Sequence, residues 1–275
     1  MNRTKLSGYL LIVNTILLFS SFEVVSRTIS HLYSPLYLNA LRFGIGGCVL
    51  FAVLMIRGDA RLPARDLVWT ALLGILNVGI SMNLLQASLS LHGSSAALSA
   101  VLFSTNPVFV VLFASLSGTE RIDLRIVMPL ILCVAGVFLI FSDQLLLREA
   151  PLLPAVLALG SSAVFGLYTV LAGRISKRIG SLRMNAYTFL FGSILCAVGL
   201  VLFRPEVIVP LQDGSLQILY IGVAVTGVAY LTYFKGLVVV GTGRGSMIFF
   251  AKPVIATVLA ALFLSETITL SFVIG

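Results

Sequence analysis

Charge is scarce in this chain. Of its 275 residues 10% are charged and 59% are hydrophobic, where a soluble domain carries about 25% charged and about 45–50% apolar residues. Such an excess cannot be folded into one soluble core. The composition therefore excludes a water-soluble enzyme or binding module and requires a polytopic membrane protein. Cysteine is scarce too. Cys48, Cys133 and Cys196 are odd in number, lie inside apolar runs and show no metal-type spacing. They read as small buried hydrophobes rather than disulfides or metal ligands. The chain also lacks a phosphate-binding glycine loop, an H-E-x-x-H pair and a G-x-S-x-G elbow, so neither a nucleotide-driven pump nor these hydrolases is indicated. No cofactor and no metal is expected.

The net charge of +8 does not point to nucleic acid. The positive residues fall in short loops between apolar runs, as membrane orientation demands. Arg3 and Lys5 precede a run too long for a signal peptide and without a small-residue cleavage site, so it reads as a retained first helix.

Runs of about 20 apolar residues are enough to cross about 30 Å of hydrocarbon. They fall at 7–29, 35–56, 67–90, 94–117, 122–142, 153–175, 183–203, 215–240 and 243–264, with a further run beginning near Thr269. One stretch occurs twice. Asn106-Pro107-Val108 leads to Glu120, and Lys252-Pro253-Val254 leads to Glu266, at an offset of 146 residues and without a gap. The same offset aligns Phe19–Gly46 with Phe165–Gly192. The third and eighth runs match best two residues out of register, as at Leu89 and Leu237.

The pattern predicts an all-α membrane protein of ten helices in two five-helix repeats, 1–143 and 144–275. Because five is odd, the second repeat must enter the membrane inverted. The loop charges agree. Twelve lysines and arginines fall on the side of the N-terminus and only Arg148 and Arg204 on the other, which places both termini in the cytoplasm. By the repeat, the last helix would run past Gly275, so it reads as truncated.

These features identify the chain as resembling the drug/metabolite transporter superfamily, in its EamA-type branch. The resemblance rests on Pro107 with Glu120, Pro253 with Glu266, and the small-residue turns Gly93-Ser94-Ser95-Ala96 and Gly241-Thr242-Gly243-Arg244. Within that branch the chain is most similar to bacterial inner-membrane exporters of aromatic amino acids and methyl viologen. The resemblance implies a central cavity between the halves and export of small metabolites. Lys252, standing where the other repeat has Asn106, departs from a pathway for neutral drugs.

Ionisable groups near the bilayer centre face a cavity or a partner. Lys252 is the deepest cation. It is expected to meet a substrate carboxylate, against the plainer reading of a structural ion pair or of bonds to carbonyls freed near Pro253. Lys235 lies near a helix end and can snorkel. Glu23 and Arg42 sit at similar depth and are expected to pair, with proton coupling by Glu23 as the sharper alternative. Asn14 and Glu23 are half a turn out of phase and cannot share one cavity. Glu120 and Glu266 suit the starts of following helices.

Phe249 and Lys252 share a helical face, as Phe103 and Asn106 do. Tyr168 and Tyr233 are interior aromatics suited to the ring of a substrate. Gly79, Asn83, Gln86 and Ser90 form one polar stripe that either lines the cavity or joins helices. Pro107 and Pro253 are expected hinges.

Together these residues predict a secondary transporter exporting amino acids, aromatic ones included, by alternating access. Its partners are the small substrate and the lipid bilayer of a bacterial inner membrane, and a monomer is compatible with it. Rival readings are a carrier of sugar phosphates or nucleotide sugars, which would favour several convergent cations, and an intramembrane enzyme, which would want paired acid and base groups at one depth.

Overall fold

A computed structural model describes residues 3–92, 94, 96–118, 152–203 and 214–265, together with Met128, Ile131, Leu132, Ala135, Gly136 and Leu139. Among them are eight helices long and apolar enough to cross a membrane: α1 Leu6–Ile29, α2 Pro35–Ile56, α3 Ala64–Ser90, α4 Ala96–Leu116, α5 Leu152–Ile179, α6 Ser181–Phe203, α7 Ser215–Val240 and α8 Thr242–Leu264. No strand occurs among the described residues. The expected runs match these helices to within a few residues. The run at 122–142 is described only at its six helical positions. The run from Thr269, Glu120, Glu266, Gly93, Ser95, Arg148, Arg204 and Cys133 lie outside the described residues.

The helices wear an apolar exterior, with Leu116, Val201, Val254 and Leu262 all exposed, as a chain solvated by lipid requires. Cys48 belongs to that exterior. It is exposed, whereas Cys196 is buried, so the expectation that every cysteine is buried fails at Cys48, which lies on the outward face of α2. Asn14 is exposed while Glu23 is buried, as their phase demands.

Glycines let the helices cross closely. Gly46 of α2 lies on Gly222 of α7, where an added Cβ would stand 2.8 Å from the Gly222 carbonyl oxygen. Gly74 of α3 lies on α6, where an added Cβ would stand 2.8 Å from the Thr188 carbonyl oxygen and 2.9 Å from the Gly192 nitrogen. Small residues at crossings of this kind are the usual means of helix association in lipid.

Four helices are locally irregular, and each irregularity has side-chain or backbone donors that satisfy it. α3 widens to π geometry over Ile75–Met82 and α7 over Ile221–Ala229. A buried carbonyl without a partner costs several kcal/mol in lipid. In α3 the Asn83 amide donates to the carbonyls of Val78 (2.7 Å) and Gly79 (3.2 Å). In α7 the Thr232 hydroxyl donates to Val228 and Ala229, and Asn185 donates to the Tyr230 carbonyl.

α4 breaks at Ser104–Thr105, and α8 tightens to 3-10 geometry over Met247–Ala251. Each irregularity comes just before its proline. Pro107 has no N–H for the carbonyl four residues back. That carbonyl, of Phe103, instead accepts from the Asn106 amide and the Ser162 hydroxyl, both at 3.2 Å. In α8 the equivalent carbonyl of Phe249 accepts from the backbone N–H of Lys252. The Lys252 side chain is therefore free for another partner.

At one end of the bundle the loop between α2 and α3 meets the junction of α5 and α6. Asp66 pairs with Arg178 and Asp59 with Arg183. The Tyr187 hydroxyl donates to the Ala60 carbonyl at 2.5 Å. Arg174 reaches the Ser117 carbonyl at the end of α4.

A charged and aromatic candidate site at the centre

Among the described residues, Glu23 of α1, Arg42 of α2 and Lys252 of α8 bury charged side chains in the middle of the bundle. The pairing expected from depth, Glu23 with Arg42, is replaced. Glu23 binds Lys252, in contact that is both hydrogen bond and ion pair. The reason is steric and local. The Arg42 guanidinium is held between two rings of its own neighbourhood, 4.1 Å from the Phe22 centroid and 4.5 Å from that of Phe43. Lys252, released from any duty at the Pro253 break, extends to α1 and also lies 4.5 Å from the Phe103 ring. Cation–π contacts of this kind are worth about 0.5–2 kcal/mol, more when water is excluded.

Around these charges the rings interlock. Phe249 meets Phe19 (5.7 Å between centroids), Phe103 (6.1 Å), Phe165 (5.8 Å) and Tyr233 (5.5 Å). Tyr230 packs on Phe19 at 4.9 Å and on Phe189 at 5.0 Å. A small cavity remains, lined by Phe19, Phe22, Arg42, Met82, Leu85, Phe103, Phe165, Val225, Tyr230 and Lys252. It holds about 20 Å³, room for little more than one water molecule. Every described helix except α6 contributes to its wall, α2 doing so through Arg42.

Of the residues singled out from sequence, Lys252 and Phe103 line this cavity and Phe249 lies directly behind them. Asn106 is buried beside them but spends its amide on the Phe103 carbonyl. Tyr168 and Tyr233 are fully buried in the surrounding aromatic packing, against Phe234 and Phe249, and do not line the cavity. The polar stripe of α3 divides. Asn83 holds the π segment and accepts from Asn39 at 3.0 Å, while Gln86 accepts from Ser26 of α1 at 2.6 Å. Both act between helices. Lys235 is exposed, consistent with a snorkelling side chain. Phe19, Phe22, Met82 and Leu85 escaped the sequence reading. The signal for the first two was available, because Phe19 lies one turn before Glu23 on the same face and Phe22 adjoins it.

A bundle of apolar helices that buries opposite charges beside a small central cavity defines a multi-pass membrane protein with a charged, aromatic centre. Comparison with known proteins agrees. The model of the EamA-like transporter family matches residues 6–142 and 152–275, and the chain belongs to that family. An uncharacterized transporter of Clostridium kluyveri is 32% identical over 98% of this chain and 89% of its own length. The uncharacterized transporter YoaV of Bacillus subtilis is 24% identical over 96% of this chain and 91% of its own. The uncharacterized inner membrane transporter YedA of Escherichia coli is 23% identical over 86% of this chain and 76% of its own. A solved crystal structure, 23% identical, superposes with a TM-score of 0.76 over 98% of this chain and 92% of that one. The protein is a membrane transporter.

Proposed function

We propose that this transporter is a secondary exporter of amino acids, aromatic ones included, working by alternating access through the central cavity. The observation that carries the reading is the coincidence of buried charge with an aromatic wall at one point of the bundle. An amphiphilic solute with a ring and a carboxylate asks for both. The fold proposed with it has ten membrane helices, as two oppositely oriented five-helix repeats over 1–143 and 144–275. Support comes from features that recur between the halves. The π segments begin at Ile75 and Ile221, and the breaks precede Pro107 and Pro253. The glycine crossings pair Gly46 with Gly222 and Gly192 with Gly74. Both termini are placed in the cytoplasm of a bacterial cell and the protein in its inner membrane.

The cavity is too small for an amino acid, so loading requires the helices around it to part. Pulling Lys252 from Glu23 would strand two buried charges at a cost of several kcal/mol. α1 and α8 therefore move as one unit, and the bends before Pro107 and Pro253 absorb the change. The test is a substrate panel on purified protein in liposomes, with and without a pH gradient. Passage of phenylalanine and related amino acids supports the reading. Liposomes that pass no amino acid in either direction overturn it. Faster transport under the gradient assigns proton coupling, and equal rates assign facilitated diffusion.

A further inference from the structure

The charges at the centre do not balance. Lys252 has its carboxylate in Glu23. Arg42 has none: among the described residues its Nε and Nη1 are buried without a hydrogen-bond partner, and no salt bridge reaches it. Its side chain is held by the Phe22 and Phe43 rings, and it lines the cavity. Its backbone is fixed under the α2–α7 crossing, where Gly222 approaches the Arg42 carbonyl. A buried charge left in this way is costly and calls for a counter-ion. Rings satisfy the face of a guanidinium but leave its in-plane N–H groups open, and those groups match the two oxygens of a carboxylate.

We propose that Arg42, rather than Lys252, is the carboxylate receptor of the central site, and that the substrate class is a small monocarboxylate with a ring-bearing apolar body. The inference rests on the reading of the cavity as the transport site. One unpartnered guanidinium is matched by a single carboxylate, whereas a phosphate dianion would bring a second negative charge into an aromatic enclosure. The Glu23–Lys252 pair is neutral as a unit and serves to join α1 to α8. Phe19, Phe103 and Phe165 provide apolar wall beside the guanidinium.

The test uses the full chain in liposomes, exchanging labelled phenylalanine, with phenylacetate and 2-phenylethylamine as competitors and a thermal-shift measurement of each ligand in detergent. Wild-type protein should be inhibited by phenylacetate and indifferent to 2-phenylethylamine. Arg42→Gln should weaken phenylacetate by about tenfold to a hundredfold, the range of a hydrogen bond to a charged group. Arg42→Lys, which keeps charge and loses the fork, should fall between, and it carries the test if Arg42→Gln does not fold. The double variant Glu23→Gln/Lys252→Met should keep its preference for the carboxylate over the amine, whatever its turnover. The inference alone is overturned if wild type prefers carboxylates but Arg42→Gln and Arg42→Lys do so equally, or if the double variant loses the preference. If wild type prefers the amine, the substrate reading falls and Arg42 with it.

Discussion

Replacing Glu23 by glutamine should destabilise the protein far more than replacing Glu23 and Lys252 together. Both side chains are almost wholly buried, at 0% and 2% exposure. Removing one partner leaves an uncompensated charge, which costs about 3–5 kcal/mol, whereas neutral residues of similar volume at both positions are often harmless. For a chain somewhat longer than 150–250 residues, each kcal/mol corresponds to about 2–4 °C in Tm. Glu23→Gln and Lys252→Met should therefore each lower the melting temperature in detergent by roughly 6–20 °C. The double variant should recover most of that loss. Fluorescence-detected size-exclusion chromatography after heating reads all four proteins side by side. The reasoning is refuted if Glu23→Gln melts with wild type, or if the two losses add in the double variant. Arg42 sharpens the expectation. It keeps its own charge throughout, so Lys252→Met still has a cation near Glu23 and should lose less than Glu23→Gln, which leaves two.

The ion pairs Asp66–Arg178 and Asp59–Arg183 tie the α2–α3 loop to the α5–α6 junction. Both are partly exposed, so each is worth about 0.2–1 kcal/mol. Asp59→Asn with Asp66→Asn should raise labelling of a cysteine placed at Tyr187 by roughly two- to thirtyfold, most strongly at low salt, and unchanged labelling would show that the two pairs do not hold this end of the bundle together. Gly74→Ala should cost about 1–3 kcal/mol, because backbone atoms of Thr188 and Gly192 meet the added methyl and cannot turn aside; an unshifted melting curve would contradict this. Phe249→Ala should cost about 3 kcal/mol of stability and enlarge the centre, raising exchange of tryptophan relative to phenylalanine. A ratio unchanged from wild type would show that Phe249 does not limit the site.

Much of the scaffold was legible because lipid enforces simple rules. A run of apolar residues has to be a helix, and a proline inside it has to free a carbonyl, so the breaks before Pro107 and Pro253 could be placed to within a few residues. The π segments were not legible in that way. They begin at matching positions, Ile75 and Ile221, and differ by one residue in length, so the slip of two at Leu89 and Leu237 does not mark them. What permits such a segment is tertiary: Asn83, Thr232 and Asn185 must be at hand to satisfy the carbonyls it leaves. The stripe of Gly79, Asn83, Gln86 and Ser90 left two readings open, lining the cavity or joining helices, and Asn83 and Gln86 join helices by their bonds to Asn39 and Ser26.

The pairing of the buried charges shows where sequence ends. Depth along a helix follows from counting residues, which set Glu23 and Arg42 at similar depth and Lys252 close to the midplane. Three charges allow two ion pairs, and depth cannot choose between them. The choice is made by what else each cation touches. Arg42 is flanked in the fold by Phe22 and Phe43, whose rings hold its guanidinium face-on, while the backbone of Lys252 repairs the Pro253 break and leaves its side chain to reach α1. Asn106, at the matching place in the other repeat, answers its proline with its side-chain amide and carries no charge to set against Glu23. The second break is closed by a backbone N–H, so the lysine side chain standing there is free to neutralise Glu23, and it is that neutralisation which leaves Arg42 as the open positive charge among the described residues at the centre of the transporter.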